Sequence, residues 1–236
     1  MQEVSNSIYL PSNFNALLEY GISEGSNILI TGPPGVGKTI FCENIAIECM
    51  NQNMNCIYVT TDTTPEEIRN NISLSKSSLE EEITFIDSYT WLTGKSEEKF
   101  FVENLNNLTE LNFRIISAGS SVEAPFLLIF DSISPLSLYN SEQHVMIFMQ
   151  RLLAKIKGWK SYGLYIIQSN VHSEEFYNAV GYMVDGIFDM RIRDEEEINR
   201  YFRVRSLKNT SHDTKWIPFS IENDRRMSLQ LEGVIE

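Results

Sequence analysis

The stretch Gly32-Pro33-Pro34-Gly35-Val36-Gly37-Lys38-Thr39 decides how the rest of the chain is read. It fulfils G-x-x-x-x-G-K-[ST] at every fixed position, the pattern of a loop that wraps a phosphate chain in backbone N–H groups. Glycine is required because a Cβ would obstruct a backbone that turns its amides inward. Lys38 supplies a mobile cation for the β- and γ-phosphates and Thr39 a hydroxyl for Mg²⁺. A helix starting here aims its partial positive end at the same anion. The expected phosphate contacts therefore run from Gly32, Pro33, Pro34, Gly35, Val36 and Gly37 through Lys38, Thr39 and Ile40. Asn27-Ile28-Leu29-Ile30-Thr31 predicts a short buried strand entering the loop, and Thr39 to Met50 a helix leaving it. A chance Gly/Pro turn would lack that strand–loop–helix context. The pattern implies a nucleoside triphosphate.

The chain has 236 residues, 42% hydrophobic and 22% charged, ordinary for a soluble globular protein. No linker, low-complexity tract or repeat divides it, so one domain over 1–236 is expected. Met1 to Gly21 lacks a basic segment followed by an apolar one, and the apolar runs are strand-sized, so no membrane and a cytoplasmic location are expected. Cys42, Cys49 and Cys56 have no C-x-x-C spacing, which argues against a disulfide framework or a zinc site. Cys42 and Cys49 share a helix face and read as small core residues. A net charge of −13 repels polyanions and disfavours nucleic-acid and anionic-membrane partners.

Alternation of strands and helices continues beyond the loop. Asn55 to Thr60 is a buried β-rich run, and Thr64-Pro65-Glu66-Glu67 has the form of a helix start. Ile83 to Asp87 is another strand, and Phe101, Leu105, Leu108 and Ile115 recur at helical spacing after it. Phe126-Leu127-Leu128-Ile129-Phe130-Asp131-Ser132 is a continuous apolar run ending in a carboxylate. In a sheet covered on both faces such a strand opens onto the ligand crevice at its C-terminal edge, where Asp131 is expected to join Thr39 in holding Mg²⁺. Glu142 to Trp159 reads as a helix, and Leu164 to Ile167 as a strand ending in Gln168-Ser169-Asn170. Gly186 to Ile192, Arg200 to Leu207, Trp216 to Ile221 and Met227 to Leu231 then read as β segments joined by polar turns, which predicts hairpins at the sheet's edge.

Several stretches together resemble the RecA superfamily and, within it, the KaiC-like archaeal and bacterial ATPases, in a single-domain form of archaeal type. They are VTTDTTPEEIR (Val59 to Arg69), FIDSY (Phe85 to Tyr89), Asp131-Ser132, VDGIF (Val184 to Phe188) and RSLKNTSHDTKWIPFSI (Arg205 to Ile221), with similarity running through nearly the whole chain. The resemblance implies an α/β RecA-like P-loop NTPase core, a mainly parallel twisted sheet flanked by helices, with antiparallel C-terminal strands. It also implies ATP with Mg²⁺, a homo-oligomer such as a hexamer, and an unidentified protein partner. ATP rather than GTP is part of that implication, since no guanine-specific N-K-x-D motif follows the core.

In such proteins the second strand ends in paired glutamates, the first of which polarises the attacking water; the matching positions here are Asp62 and Thr63. The carboxylate is one methylene shorter and its acidic partner is missing, which implies slow hydrolysis because a water held out of line attacks poorly. Asp62 is equally a residue type that precedes helices. The family's Lys-x-Arg pair, which reaches the neighbouring subunit's nucleotide, corresponds to Ser206 and Lys208. Lysine cannot reproduce the planar fork of an arginine, and a solvated edge-strand lysine is the plain alternative. Gln168 sits where these proteins sense the γ-phosphate by hydrogen bonding, with Ser169 and Asn170 as alternatives. The resemblance thus gives Asp62, Lys38, Gln168 and Lys208 catalytic roles. His212 matches a histidine of the family's Thr-Ser-His segment and reads as a turn residue. His144 and His172 show no metal-ligand spacing and carry no assignment.

Three functions compete: a slow oligomeric ATPase that signals through its nucleotide state; a non-hydrolysing regulatory or assembly module similar to archaellum-motor nucleotide-binding proteins; and a DNA recombinase paralogue. The last is disfavoured, because the loops Ser132 to Met146 and Ser169 to Met183 contain no Lys or Arg.

Overall fold

From Asn27 onward the chain repeats one unit, a short apolar strand followed by a crossing segment that returns it parallel to itself. The computed structural model describes residues 7–75, 83–194 and 198–230. In chain order they form β1 (Ser7–Ile8), a 3₁₀ segment (Ser12–Leu17), β2 (Ile22–Ser23), β3 (Asn27–Gly32), α1 (Lys38–Asn51), β4 (Cys56–Thr60), α2 (Pro65–Ser75), β5 (Ile83–Asp87), β6 (Phe100–Phe101) and α3 (Leu108–Gly119). There follow β7 (Leu127–Asp131), α4 (Leu136–Tyr139), α5 (Glu142–Gly158), β8 (Tyr162–Gln168), α6 (Glu174–Met183), β9 (Gly186–Asp194), β10 (Ile198–Leu207), β11 (Ile217–Ile221) and β12 (Met227–Leu229).

Ten strands make one sheet in the order β12-β11-β10-β9-β3-β8-β7-β4-β5-β6. From β9 across to β6 every pairing is parallel, and β9, β10, β11 and β12 pair antiparallel, as the sequence predicts. The central strands β3, β4, β7 and β8 are buried along nearly their whole length because both faces are covered. Ile28, Ile30, Ile129 and Ile166 point toward α1 and α2, where they join Phe41, Cys42, Cys49, Cys56 and Ile68 in one core. Leu29, Leu128, Phe130 and Ile167 point the other way, onto Leu111, Val145, Met149 and Phe176 of α3, α5 and α6 in a second core.

Two sequence expectations need correction. The apolar spacing from Phe101 is not one helix: Phe101 pairs with Asp87 as a short edge strand, Leu105 is buried in the connection, and the helix starts at Leu108, where Asn107 caps it by accepting from Glu110 N–H at 3.0 Å. A tertiary edge pairing overrides the local periodicity there. Ser169 to Met183, read as a loop, contains α6, whose N-cap Ser173 accepts from Phe176 N–H at 3.1 Å. The last strand ends at Leu229, and Leu231 lies outside the described residues.

Candidate nucleotide-binding site

Parallel register brings the C-terminal ends of β3, β4, β7 and β8 to one edge of the sheet. Gly32 aligns with Gln168, and Thr60 with Asp131. The crevice beyond such an edge is where open α/β sheets bind ligands. Here it is a cavity of about 560 Å³ whose lining includes Gly35, Lys38, Thr39, Asp62, Asp131 and Gln168.

The loop from Gly32 to Gly37 cradles that cavity. Gly37 is left-handed at φ 108°, and a Cβ on it would meet Ile221 Cδ1 at 2.8 Å. Gly35, at φ 73°, has nothing within 4 Å of its Cβ position, and its left-handed backbone is one that a side chain would strain. The start of α1 differs from that of its neighbours. Thr64, Asn107, Ser141 and Ser173 each accept a backbone N–H at the start of α2, α3, α5 and α6, whereas α1 begins on Gly37 with no side-chain cap. Its first turn is closed by Phe41 N–H to Gly37 O at 2.9 Å. The amides of Lys38, Thr39 and Ile40 precede that bond, and an anion is their natural partner.

Lys38 Nζ donates to Gly32 O, Pro33 O and Gln168 Oε1, each at 2.8 Å. Burial lowers its pKa to about 8, against the opposing pull of Asp131 and Asp62. Asp131 ends β7 with 4% exposure, and burial raises its carboxyl to about 6 although the Thr39 and Tyr58 hydroxyls and Lys38 favour its charge. Tyr58 donates to Asp131 Oδ2 at 2.9 Å. Thr39 and Asp131 are thus neighbours, and a hydroxyl beside a single carboxylate suits Mg²⁺, which completes its octahedron with phosphate and water oxygens. Among the described residues no group of three or more His, Cys, Asp or Glu could hold a metal ion.

Asp62 follows β4, and its Oδ2 accepts the Ser132 hydroxyl at 2.7 Å. The Asp131–Ser132 peptide is cis, and Thr61 holds both of its polar groups, donating its N–H to Asp131 O at 2.9 Å and accepting Ser132 N–H on Oγ1 at 2.7 Å; the same hydroxyl donates to Ser132 O at 2.7 Å. Asp62 is open to solvent at the rim, yet the surrounding cleft removes enough water to raise its pKa, opposed by the Ser132 hydrogen bond and by Lys38.

Lys208 is elsewhere. Its Nζ donates to Val184 O at 2.9 Å and to Asp185 Oδ1 at 3.3 Å, beside Asn27 at the N-terminal end of β3. The cradle is at the other end of that strand, roughly 15–20 Å away at ~3.3 Å per residue. Lys208 and Ser206 line a separate cavity of about 880 Å³, larger than the first but with no phosphate-binding loop. Ser169 N–H bonds Gly32 O at 3.1 Å, and Asn170 is left-handed at φ 62°. Of the alternatives at the end of β8, it is Gln168 whose side chain bonds Lys38. The cations missing from the loops after β7 and β8 gather on the C-terminal sheet. Arg191 and Arg203 stack on Trp216 at 4.1 and 4.4 Å, and Arg203 and Arg205 pair with Asp189.

Sequence reasoning misses Tyr58, Ser134, Arg225 and His172. Arg225 lines the nucleotide cavity from the β11–β12 turn, and its Nη2 bonds buried Glu43 at 2.7 Å. Asn44 fastens the same turn by donating to Arg225 O at 2.9 Å and accepting from Met227 N–H at 3.1 Å. The one signal was a polar pair, Glu43-Asn44, between apolar positions of α1. Ser134 and His172 carry no motif and meet only in the fold.

The family model described as "ATPase: KaiC" matches residues 12–230. A UPF0273 protein of Methanopyrus kandleri is 28% identical over 219 residues, covering 88% of this chain and 85% of its own. A UPF0273 protein of Thermotoga maritima is 26% identical over 226 residues, covering 92% and 93%. The crystal structure of a KaiC-like protein from the hyperthermophilic archaeon Pyrococcus horikoshii has the same fold, with a TM-score of 0.76 at 19% identity over 95% of this chain and 98% of that one. The chain belongs to the KaiC ATPase family and is a RecA-like P-loop protein of nucleotide-binding type.

Proposed function

We propose that this protein binds Mg-ATP in the cradle between Gly32 and Ile40, hydrolyses it slowly, and signals through its nucleotide state as a homo-oligomer such as a hexamer. The observation that carries the reading is the uncapped start of α1 above a loop whose left-handed Gly35 and Gly37 line the cavity, with Lys38 bonded to Gln168 across it. Thr39 and Asp131 would hold Mg²⁺, which when bound neutralises charge shared by the β- and γ-phosphates. Lys38, already desolvated, offers its ammonium to the same oxygens, and once it leaves Gln168 Oε1 the amide can present its Nε2–H to the γ-phosphate. Asp62 orients the attacking water.

Slow turnover follows from Asp62. Ser132 occupies one of its oxygens, and Thr63 offers no second carboxylate to share the water. The same hydrogen bond favours the second reading, an ATP-binding regulatory or assembly module without turnover. Lys208 is too far from its own cradle to act there, so any catalytic role is on a neighbouring copy. Binding to DNA is disfavoured: the loops after β7 and β8 have no Lys or Arg to meet phosphates, and on the C-terminal sheet Arg191, Arg193 and Arg203 lie over Tyr201 and Trp216. A low-salt gel shift that vanished as salt rose would overturn that point. No helix among the described residues is long and apolar enough to cross a membrane, in keeping with a cytoplasmic protein.

Phosphate release from Mg-ATP across a range of protein concentrations, beside nucleotide calorimetry, tests the proposal. Turnover that rises with concentration supports the oligomeric ATPase. Tight binding without turnover at any concentration supports the module.

A further inference from the structure

We infer that His172 is a positioning residue that fixes Gln168 for discrimination between tri- and diphosphate. The inference rests on the reading of Gln168 as the residue that meets the γ-phosphate. Three polar groups of Gln168 are each held by a different part of the molecule. Its side-chain Oε1 accepts from Lys38 of α1, its N–H donates to Ser134 Oγ at 2.9 Å in the connection after β7, and its carbonyl accepts the Tyr177 hydroxyl of α6. His172 braces two of these three. Its Nε2 lies 3.0 Å from Ser134 Oγ, and its ring stands 4.7 Å from Phe176 and 5.8 Å from Tyr177.

The hydrogen bonds assign the tautomer. Glu142 Oε1 lies 3.5 Å from Nδ1 and as a carboxylate can only accept, which puts the ring proton on Nδ1. Nε2 of the neutral ring is then the acceptor for the Ser134 hydroxyl, whose oxygen accepts from Gln168 N–H. The imidazole side chain is 1% exposed. Burial lowers its pKa, with Glu142 opposing, so the ring is neutral near pH 7 and Nε2 remains an acceptor. Glu142 is itself anchored, accepting Ser173 N–H at 2.9 Å and the Ser173 hydroxyl, the N-cap of α6. Glu142, His172 and Ser134 thus form a chain of oriented polar groups ending on the backbone of Gln168. Such connected networks restrict each member to one geometry. Without the imidazole, Ser134 is free to rotate its hydroxyl toward the cavity it lines, and the end of β8 loses a fixed acceptor.

Calorimetry with Mg-AMP-PNP and Mg-ADP on the full chain tests this, comparing wild type with His172→Ala, His172→Gln, Ser134→Ala and Gln168→Ala. His172→Ala should cut the preference for the triphosphate analogue about tenfold, the worth of one hydrogen bond, and leave ADP affinity within about twofold. Gln168→Ala should show the same loss, Ser134→Ala a comparable one, and His172→Gln, which keeps an acceptor, should recover most of it. Equal weakening of both nucleotides by His172→Ala, or an unchanged preference with only a lower Tm, would overturn the inference. If His172→Ala does not fold, Ser134→Ala and His172→Gln decide the matter by the same ratio. Wild type that binds neither nucleotide would instead refute the reading of the site.

Discussion

Lys38 and Lys208 stand at opposite ends of the same strand, and their surroundings make one charge into two different things. Lys38 is 5% exposed, held by three acceptors at 2.8 Å, and desolvated enough to lower its pKa to about 8. Lys208 is 57% exposed and shares Asp185 with Lys157, itself 68% exposed, in an ion-pair cluster that water and salt screen. The larger cavity belongs to Lys208, yet the chemistry belongs to the smaller one. Cavity size records how strands and helices part at the sheet's end, whereas a binding site needs converging donors with nothing else to bond.

The sharpest way to break this contrast is to cut one ion pair at each end. Arg225→Ala, beside the nucleotide cavity, leaves Glu43 unpaired at 2% exposure and should cost about 3 kcal/mol in chemical denaturation, since a buried charge loses its partner. Lys38→Ala should weaken Mg-ATP binding roughly 100-fold by calorimetry, the scale of lost charge-assisted bonds; unchanged affinity would contradict the cradle itself. Asp62→Asn should lower turnover about 10²-fold with ATP affinity nearly intact, and Asp62→Glu should raise it. Equal, negligible rates in all three forms would leave the chain a binding module. Smallest is Lys208→Ala, expected to change stability by less than ~1 kcal/mol and to leave ATP affinity at low protein concentration unaltered. A large loss of affinity there would erase the distinction between the two ends.

The same contrast explains what the sequence made legible. The loop from Gly32 to Thr39 and the apolar strands ending at Thr60, Asp131 and Gln168 are local patterns, because backbone conformation and two-sided burial each leave a mark on consecutive residues. The polar turns between the last four β segments marked the antiparallel close, which the family resemblance also implied together with a mainly parallel sheet; the order of the strands in that sheet left no local mark. Ser134, His172 and Glu142 were invisible because each finds its bonding partner far along the chain, and no spacing records that. His172 was set aside as a metal ligand, which was the wrong question: its partners are a hydroxyl and a carboxylate that it orients. Phe101 and Leu105 misled for the opposite reason, their helical spacing being an accident of an edge strand and a buried connection.

Cys42, Cys49 and Cys56 are free thiols at 0% exposure, all in the core between the sheet and α1 and α2, and the α3–α5–α6 core contains none. Burial pushes the pKa of each thiol up, to about 12 for Cys49, so the reactive thiolate is scarce as well as hidden. A thiol-reactive dye added to the native protein therefore acts as a clock for one half of the molecule, ticking only when the layer beneath the phosphate loop opens. Nucleotide that braces the loop should slow that clock while backbone exchange in the other layer keeps its own time.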